Sequence, residues 1–450
     1  MKHFSRSHNK HKNLRPPDLY EYFVDNFWFK SIDLDNQKIN EPLRGSHKAD
    51  IVIVGGGFTG LSSAYHIKTR FPEKKIVLLE GACCGYGASG RNGGFCITTD
   101  ILGENTPTDP EYVKQAVDVS SYGLRFIKRM ISEHGVECDL EENGTLGVAL
   151  NKKQAQYLEE HHDFLKTFGL APKILHGDEL KFEINSPRFI SGLHTLDAAN
   201  LNPAKLAREM KRVIEEIGVE VRERTVVTRI IPGKMNILDT ELGEIRAPQL
   251  VIALNAYAHK LGFFKNYAFP ISVFQIATEP LSKAQWDSIG WQNRQGLYDV
   301  RTLFSYSIPT ADGRIVMGGT DFTYYDNDAL CSGNDKTVTE NIKKNLYEFF
   351  PQLKGLKIEH AWGGTTTYTL NSTPSAGVIG DHQNIYYGVG LSEGVPTSQT
   401  FGRIIADLMA GESNEFTNHY VVNRKIPYAG PVRFRGVFAK TAKKMMASFR

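Results

Sequence analysis

The chain has 450 residues, of which 41% are apolar and 23% are charged, and its formal net charge is +3. This composition is typical of an ordinary soluble globular protein with room for two or three domains. No apolar run approaches the length of a membrane-spanning helix. Five cysteines without paired spacing argue against a disulfide scaffold and favour a reducing, cytoplasmic compartment.

The charge is unevenly distributed along the chain. Residues 1–17 carry five Lys or Arg and no acidic residue, and residues 416–450 carry eight and none. We interpret residues 1–17 as a disordered basic tail and residues 413–450 as a basic C-terminal extension. Solvated ends are the simplest interpretation. Basic tails also suit anionic lipid or nucleic acid, but we expect no nucleic-acid partner here.

Residues 18–47 form an aromatic-rich N-terminal segment, which includes LYEYFVDNFWFKSI at residues 19–32. Aromatic side chains bury large apolar areas. We therefore expect this segment to pack on the body of the protein before the first predicted strand.

Residues 51–60, IVIVGGGFTG, carry the most informative pattern in the chain. The apolar, β-branched run IVIV predicts a buried parallel strand. Gly55, Gly57 and Gly60 then form a G-x-G-x-x-G turn before a predicted helix. Such glycines permit a tight turn, close approach of backbone to a pyrophosphate, and packing of helix on strand. The helix N-terminus adds N–H groups and a positive dipole end.

A second predicted strand, IVLLE, ends at Glu80. The carboxylate of Glu80 can accept hydrogen bonds from a ribose diol. Strand, glycines, helix, strand and acid in register favour a dinucleotide site over a mere tight turn. The motif alone does not separate FAD from NAD.

Two further segments are rich in glycine. Residues 85–96, GYGASGRNGGFC, predict a loop whose N–H groups could cradle phosphate or flavin, with Arg91 placed to neutralise a pyrophosphate. Residues 386–396, YYGVGLSEGVP, run from a strand into a helix, and their N–H groups suit a flavin edge where negative charge develops. The simpler alternatives are a surface loop and a plain strand–helix connection.

The remaining pattern places strand–helix alternation at the start, the middle and the end of the chain, with antiparallel strands between. Helices are expected over 111–134, 152–168, 203–217, 337–350 and 397–410, and antiparallel strands over 271–278, 303–308 and 314–317. We predict an α/β fold in which an FAD/NAD(P)-binding Rossmann-like domain is interleaved with an α+β substrate domain built on a mostly antiparallel sheet.

The chain resembles the D-amino-acid oxidase superfamily of FAD enzymes, which includes glycine oxidase, sarcosine oxidase and gamma-glutamylputrescine oxidoreductase. The matching stretches span about 48–412 and include IVIVGGGFTGLSSAYH, GYGASGRNGGF, VIALNAYAHKL and WGGTTTYTLNSTPSAGVIG. The GASGRNGG loop and NRKIPYAGPVRFRG most resemble the gamma-glutamylputrescine oxidoreductase branch. The resemblance implies FAD rather than NAD, bound non-covalently because GASGRN lacks His and TTTYTLNSTP lacks Cys.

The resemblance also implies a division into domains and a set of FAD-binding residues. The FAD-binding domain would comprise 48–100, 195–262 and 356–412, and the substrate domain would comprise 101–194 and 263–355. Val227 would contact adenine through its backbone, and Gly390 to Val395 would cap the flavin edge. The predicted cofactor-binding residues are Gly55, Gly57, Phe58, Thr59, Gly60, Glu80, Ser89, Arg91, Asn92, Gly93, Val227, Asn255, Gly390, Leu391, Ser392, Gly394 and Val395.

Tyr257, Gln275, Tyr306 and Trp362 are the predicted substrate-pocket residues, since aromatic walls with few polar groups suit an amine with an apolar stem. Packing in the core is the simpler alternative for each. In the family, a hydride leaves the carbon next to a neutral amine for flavin N5, and the imine hydrolyses to a carbonyl product. This chemistry needs no dedicated acid or base, so we assign none, and we assign no metal site.

The sequence departs from the family pattern at two places. Glycine-oxidase-like members bind the substrate carboxylate through an Arg near the position of Thr310, and Arg301 is more simply interpreted as a solvated strand end. Sarcosine oxidases carry an oxygen-activating Lys where this chain has Ile315-Val316-Met317. The first difference favours an amine or an extended substrate over a simple α-amino acid. The second leaves open whether O2 or another acceptor reoxidises the flavin.

We predict an FAD-dependent amine or amino-acid oxidase or dehydrogenase in the cytoplasm. A second hypothesis is a membrane-associated flavin dehydrogenase that passes electrons to quinone, peripheral on the inner face of the membrane. A third is a non-catalytic flavoprotein that serves as an assembly or binding factor.

The membrane hypothesis depends on the C-terminal extension. One helical face would carry Phe434, Val437, Phe438, Thr441, Met445 and Phe449, and the other side would carry Arg435, Lys440, Lys443 and Lys444. A basic amphipathic helix of this kind suits an anionic membrane surface. A helix docked on its own protein is the alternative.

Overall fold

The computed structural model describes residues 26–33, 37–98, 109–167, 169–331, 333–392 and 394–448. The predicted disordered tail, residues 1–17, lies outside these ranges. The α-helices are α1 (Phe27–Lys30), α2 (Phe58–Arg70), α3 (Pro110–His134), α4 (Lys152–Lys166), α5 (Gly177–Glu183), α6 (Pro203–Glu216), α7 (Lys283–Ile289), α8 (Lys336–Phe349), α9 (Val395–Met409) and α10 (Val432–Ser448).

The strands connect these helices in four sheets. They are β1 (Gly45–Lys48), β2 (Ile51–Val54), β3 (Ile76–Leu79), β4 (Phe95–Ile97), β5 (Thr145–Ala149), β6 (Lys173–Leu175), β7 (Ser191–Thr195), β8 (Ala198–Asn200), β9 (Glu220–Arg222), β10 (Val227–Ile231), β11 (Asn236–Thr240), β12 (Gly243–Ala247), β13 (Gln249–Ile252), β14 (Ala268–Thr278), β15 (Gly296–Asp299), β16 (Ser305–Pro309), β17 (Ile315–Gly319), β18 (Ile358–Thr369), β19 (Ser375–Ile379) and β20 (Ile385–Val389).

A six-stranded sheet of order β19-β20-β13-β2-β3-β9 forms the first layer. All its strands run parallel except the edge strand β19. The side chains of strand β2 alternate between the two faces of the sheet, and both faces are buried. Ile51 and Ile53 join the core under α2, α3, α6 and α9, and Val52 and Val54 pack toward the four-stranded sheet β1-β12-β11-β10. The predicted Rossmann-like arrangement is confirmed.

Helix α9 packs tightly on α2 and α3. A Cβ added to Gly402 would lie 2.3 Å from Ser62 Oγ, and one added to Gly123 would lie 2.0 Å from the Pro396 carbonyl oxygen. Backbones therefore approach closely at both contacts, which only glycine permits. This packing fixes the N-terminus of α9 against the rest of the layer.

An eight-stranded sheet of order β18-β14-β17-β16-β15-β5-β7-β6 forms the second large layer. Its neighbours are antiparallel except β15 and β5, so the predicted, mostly antiparallel sheet is confirmed. Helices α5, α7 and α8 cover one core of this sheet, and α4 covers a smaller one. Strand β18 pairs along its length with β14, although its residues fall in segment 356–412, which we placed in the FAD-binding domain. The domain boundaries stay predictions.

The aromatic side chains in the described part of the N-terminal segment are buried. Phe27, Trp28 and Phe29 are 1–4% exposed and form one cluster with Trp362. No helix in the ranges that the structure describes is long and apolar enough to cross a bilayer.

Candidate active site

Stretches that are far apart in the sequence meet at the carboxyl ends of the parallel strands. The side-chain amide of Asn255, just after β13, donates to the Leu391 carbonyl at 3.2 Å and accepts from the Leu391 N–H at 3.3 Å. A Cβ on Gly388 of β20 would lie 3.0 Å from the methyl group of Thr59 in α2. The glycines after β2 and the segment after β20 therefore converge, as is typical of ligand sites in open parallel sheets.

The first glycine motif has no room for side chains. A Cβ on Gly55 would lie 2.5 Å from the Ala253 carbonyl oxygen, and one on Gly60 would lie 1.8 Å from the oxygen of Gly55. Gly55 also has a φ of +110°, which disfavours other residues. Gly57 caps α2, and its Cβ would lie 2.9 Å from Ser89 Oγ. The resulting cradle suits a close backbone approach to phosphates.

Glu80 lies beside this cradle at the end of β3. Its two carboxylate oxygens accept from the Gly56 N–H at 2.7 Å and the Ala82 N–H at 2.9 Å. Burial raises the pKa of Glu80 to about 7, although these two N–H donors lower it. Hydroxyl donors on a ligand would further favour the ionised carboxylate. A Cβ on Gly81 would lie 3.5 Å from a methyl carbon of Val226, so β10, which begins at Val227, starts near the residue that follows Glu80.

The loop of residues 85–96 is held by three buried side chains. The carbonyl oxygens of residues 90, 91 and 92 accept, in that order, from Asn26 Nδ2 at 3.3 Å, Trp362 Nε1 at 3.0 Å and Trp28 Nε1 at 2.9 Å. The loop also meets α2, since the Phe58 N–H donates to Ser89 Oγ at 2.9 Å. The sequence analysis did not identify Asn26 and Trp28 as site residues; their only signal was the aromatic cluster around them.

Arg91 links this loop to the eight-stranded sheet. Its side chain is buried, and its guanidinium donates to the Tyr86 carbonyl at 2.6 Å and the Gly363 carbonyl at 3.3 Å. The guanidinium carbon also lies 4.8 Å from the centre of the Tyr86 ring. These contacts position the loop. The role of Arg91 in neutralising a pyrophosphate stays a prediction.

Three of the four predicted pocket residues lie in one cross-strand row. Trp362 on β18 is opposite Gln275 on β14, Gln275 is opposite Gly318 on β17, and Gly318 is opposite Tyr306 on β16. Directly opposite residues project from the same face of a sheet. Gln275 Nε2 donates to the Tyr306 hydroxyl at 3.3 Å. A Cβ on Gly93 would lie 2.4 Å from the Tyr306 ring, so the row contacts the loop of residues 85–96.

The side-chain oxygen of Gln275 has no hydrogen-bond donor within the described ranges. Gln275 is 2% exposed, and its Oε1 has no hydrogen-bond partner among the residues that the structure describes. A buried, unsatisfied polar atom costs about 1–3 kcal/mol. This oxygen is therefore placed to accept from a ligand.

Tyr257 occupies a different position from these three residues. It belongs to the short helix Asn255–Leu261, and its ring lies 3.7 Å from the position of a Cβ on Gly87. It thus lies beside the start of the loop of residues 85–96, whereas Tyr306 contacts the end of that loop.

Neither Thr310 nor the Nε and Nη2 donors of Arg301 are available to bind a substrate carboxylate. Thr310 is buried in the β16–β17 hairpin, and its hydroxyl donates to Asp312 at 2.6 Å. Arg301 donates from Nε and Nη2 to the two oxygens of Asp299, both at 2.7 Å. The Arg301 side chain is 14% exposed and Asp299 is fully buried. The expectation of a solvated Arg301 was wrong, because a buried carboxylate two residues earlier binds it bidentately.

The segment after β20 connects the two sheets at the predicted flavin edge. The Thr366 hydroxyl on β18 donates to the Leu391 carbonyl at 2.9 Å, and the Ser392 N–H donates to the Gly390 carbonyl at 3.1 Å. Gly394 then caps α9, which begins at Val395. The first turn of α9 therefore points its N–H groups toward this junction.

These features together fit a dinucleotide coenzyme. The glycine cradle would hold its diphosphate, Glu80 its ribose, and the loop of residues 85–96 with the start of α9 its ring system. No group of three or more His, Cys, Asp or Glu side chains within the described ranges could hold a metal ion.

Comparison with known proteins agrees with this assignment. Residues 50–408 match the family model described as DAO, FAD dependent oxidoreductase. The probable oxidoreductase OrdL of Haemophilus influenzae is 29% identical over 415 residues, 88% of this chain and 91% of that protein. The gamma-glutamylputrescine oxidoreductase of Escherichia coli is 30% identical over 389 residues, 84% of this chain and 87% of that protein.

The fold agrees as well. Glycine oxidase from Geobacillus kaustophilus has a TM-score of 0.72 at 18% identity, over 85% of this chain and 100% of that one. L-proline dehydrogenase from P. horikoshii has a TM-score of 0.68 at 20% identity, over 87% of this chain and 98% of that one. The chain therefore belongs to the DAO family of FAD-dependent oxidoreductases, as its sequence predicts.

Proposed function

We propose that this enzyme oxidises the C–N bond of an amine or amino acid to an imine, which water hydrolyses to a carbonyl product. Non-covalently bound FAD supplies the two-electron chemistry by accepting a hydride at N5. Similar proteins named for such substrates support the proposal, among them the gamma-glutamylputrescine oxidoreductase of Escherichia coli and a glycine oxidase of Bacillus licheniformis that is 24% identical over 392 residues.

The unsatisfied side-chain oxygen of Gln275 is the observation on which the proposal depends. It is a buried acceptor in a row whose other side chains are the rings of Trp362 and Tyr306. An N–H of the substrate nitrogen can donate to this oxygen, while the rings pack on an apolar stem and exclude water. Gln275 would thereby orient the amine. Because its side-chain amide is neutral, it would not take a proton from the amine.

The substrate class that we favour is an amine or an extended substrate rather than a simple α-amino acid. Recognition of a small carboxylate usually uses the two parallel N–H donors of an Arg. Thr310 supplies none, and Asp299 already binds Arg301 through the Nε and Nη2 donors. A substrate bound through its amine and its stem does not need such a contact.

The compartment that we propose is the cytoplasm. All five cysteines are buried and none forms a disulfide, which fits a reducing environment.

O2 or another acceptor reoxidises the flavin. A dehydrogenase that passes electrons to quinone at the inner face of the membrane is the second candidate, and the exposed apolar face of helix α10 favours it.

Anaerobic reduction of the purified yellow protein tests the proposal. We expect one class among polyamines, gamma-glutamyl amines, N-methyl amino acids and D-amino acids to bleach the flavin absorbance. Admission of air then separates the acceptors, since rapid recolouring identifies an oxidase and slow recolouring a dehydrogenase. A protein that dithionite bleaches but no amine does would contradict the proposal and favour a non-catalytic flavoprotein.

A further inference from the structure

Helix α10 is attached to the rest of the protein by its charged side. Arg435 is 4% exposed, and its guanidinium donates to the buried Asp328 carboxylate at 2.7 Å and to the Lys265 carbonyl at 2.6 Å. About two turns further on, Lys443 donates to Asp321 at 2.7 Å. The sequence analysis placed both cations on a polar side that faces away from the apolar face. The structure shows that this side is the docking side.

The opposite side of α10 is apolar and largely exposed. Phe434, Val437, Phe438 and Met445 are 47%, 68%, 69% and 58% exposed. Their spacing of three, four and seven residues places them on one helical face. Single exposed apolar side chains are common on soluble proteins, but a contiguous row of large ones marks an interaction surface.

Cations lie beside this apolar face. Arg433 and Lys440, two turns apart on one flank, are exposed. The Arg433 guanidinium carbon lies 4.7 Å from the centre of the Phe434 ring, so charge and apolar surface are directly adjacent. Residues 416–450 include no Asp or Glu. The helix itself therefore places no acidic side chain beside its apolar face.

Two exposed tyrosines lie side by side near the segment that precedes the helix. Tyr267 and Tyr428 are 41% and 57% exposed, and their ring centres are 6.0 Å apart. The Ala429 N–H donates to the Asn266 carbonyl at 2.8 Å, which holds the two tyrosines side by side. Tyrosine at the border between apolar and charged groups is typical of surfaces that meet the headgroup region of a bilayer.

We propose that this face of α10, formed by Phe434, Val437, Phe438 and Met445 and flanked by Arg433 and Lys440, binds the surface of an anionic lipid bilayer. The helix would lie in the plane of the interface, with its apolar side chains among acyl chains and its cations at the headgroups. The inference is independent of the oxidation of C–N bonds proposed above.

The charges of the chain disfavour two other occupants of this face. A second copy in a symmetric dimer would bring a surface with the same cations, Arg433 and Lys440, against this one. Residues 1–17 carry five Lys or Arg and no acid, so this segment would also be repelled. Nucleic acid would match the charge but would offer no apolar surface to the exposed face of α10.

Co-sedimentation of the full-length holoprotein with vesicles tests the proposal. We expect binding to vesicles of phosphatidylcholine mixed with phosphatidylglycerol, little binding to phosphatidylcholine alone, and weaker binding at high salt. The triple variant V437S/F438S/M445S should lose at least roughly tenfold in affinity, because its apolar contact is removed. The double variant R433Q/K440Q should lose affinity for the anionic vesicles only.

The matched controls are Phe182→Ser and Leu196→Ser, which change side chains that are 70% and 66% exposed elsewhere on the protein. Both should bind like the wild type, and flavin content should stay unchanged in every variant. Equal binding by the wild type and the triple variant would overturn the proposal. It would also be overturned if light scattering found a wild-type dimer that the triple variant loses while neither protein binds vesicles.

Discussion

The indole N–H of Trp28 donates to the carbonyl oxygen of Asn92 at 2.9 Å. This bond joins the aromatic N-terminal segment to the loop that contacts Tyr306 and α2. With Asn26 and Trp362 bound to the two preceding carbonyls, three consecutive peptide groups have their orientation set from outside the loop. The N-terminal segment is thus part of what shapes the coenzyme site.

Replacing Trp28 with Phe keeps a ring but removes this donor. We expect FAD to bind roughly five- to tenfold more weakly, because a buried carbonyl left without its donor costs about 1 kcal/mol or more. Titration of the apoprotein with FAD, followed by flavin fluorescence, measures the change. Trp291→Phe is the matched control, since it removes a buried indole bond to the Gln295 carbonyl, at 3.0 Å, elsewhere in the protein. Equal FAD affinity for the two variants would show that Trp28 only packs.

Gly57→Ala should abolish FAD binding without unfolding the protein. The added methyl group would lie 2.9 Å from Ser89 Oγ, in the space through which backbone approaches the diphosphate. We expect a colourless protein with an unchanged circular dichroism spectrum and an FAD affinity lowered by roughly a hundredfold or more. Gly333→Ala is the control, because a Cβ there meets nothing within 4 Å. A yellow Gly57→Ala protein would contradict the assigned cradle.

Glu80 should make FAD affinity depend on pH. Burial raises its pKa to about 7, so the carboxyl group ionises as the pH rises through that value. Ribose hydroxyls donate to the ionised form, and FAD should therefore bind more tightly at about pH 8 than at about pH 6. Glu80→Gln should remove this dependence. Parallel pH profiles for wild type and variant would assign the titration to another group.

The same shift affects the stability of the apoprotein with the opposite sign. The unfolded chain ionises Glu80 near its ordinary pKa of about 4.3. Stability from the protonated carboxyl group is therefore complete below that value and declines until about pH 7. Urea unfolding of the two apoproteins measures this effect. As the pH rises across this interval, the free energy of unfolding of the wild type should fall relative to that of Glu80→Gln.

Gln275→Leu should slow reduction of the flavin by substrate while FAD stays bound. Leucine keeps the bulk of the side chain but removes the oxygen that we assign to the amine. We expect roughly a tenfold or greater loss in the anaerobic reduction rate. Tyr347→Phe is the control, because it removes a hydroxyl that donates to the Leu356 carbonyl at 2.6 Å in another core. A Gln275→Leu enzyme with the wild-type rate would exclude Gln275 from substrate binding.

Glu223→Gln should destabilise the protein strongly. Glu223 is fully buried and pairs with Arg208 at 2.6 Å and Lys211 at 2.7 Å. Burial would raise the pKa of Glu223, but the two cations overcome that effect and lower it. The variant leaves buried Arg208 without its carboxylate and Lys211 with only Glu215, at 3.9 Å, so we expect a cost of about 3–5 kcal/mol. The control Glu216→Gln breaks only a surface pair with Arg212, worth at most about 1 kcal/mol.

Thermal unfolding measures both variants. Because the pKa of Glu223 is lower in the folded state, its stabilisation is present above the ordinary pKa of about 4.3 and is lost as the pH falls through the folded value. A melting temperature for Glu223→Gln equal to that of Glu216→Gln would show that the buried cations are satisfied without this carboxylate.

The sequence could predict the parallel core because its signals are local. The run IVIV, the glycines after it and the strand IVLLE each specify their own conformation, and the structure has them as β2, the turn into α2 and β3. The sequence analysis did not predict β1 or the β11–β12 hairpin. GSHK is polar, and it becomes a strand only because β12 supplies a parallel partner from far along the chain.

The candidate site shows the same division. Residue types predicted Gln275, Tyr306 and Trp362, but their row depends on the register of four strands, which sequence periodicity does not determine. Arg301 was misassigned for a related reason. Its charge suggests solvent, and only the folded backbone brings its Nε and Nη2 donors onto Asp299.

Gly318 has a consequence for how this enzyme could change its substrate. A Cβ at this position would lie 2.5 Å from the Tyr306 ring, so the ring occupies volume that the neighbouring strand leaves vacant. A larger side chain at position 318 therefore requires a smaller one at position 306. Relatives with different preferences could have diverged by compensating swaps at these two positions, with the coenzyme-binding layer unaltered.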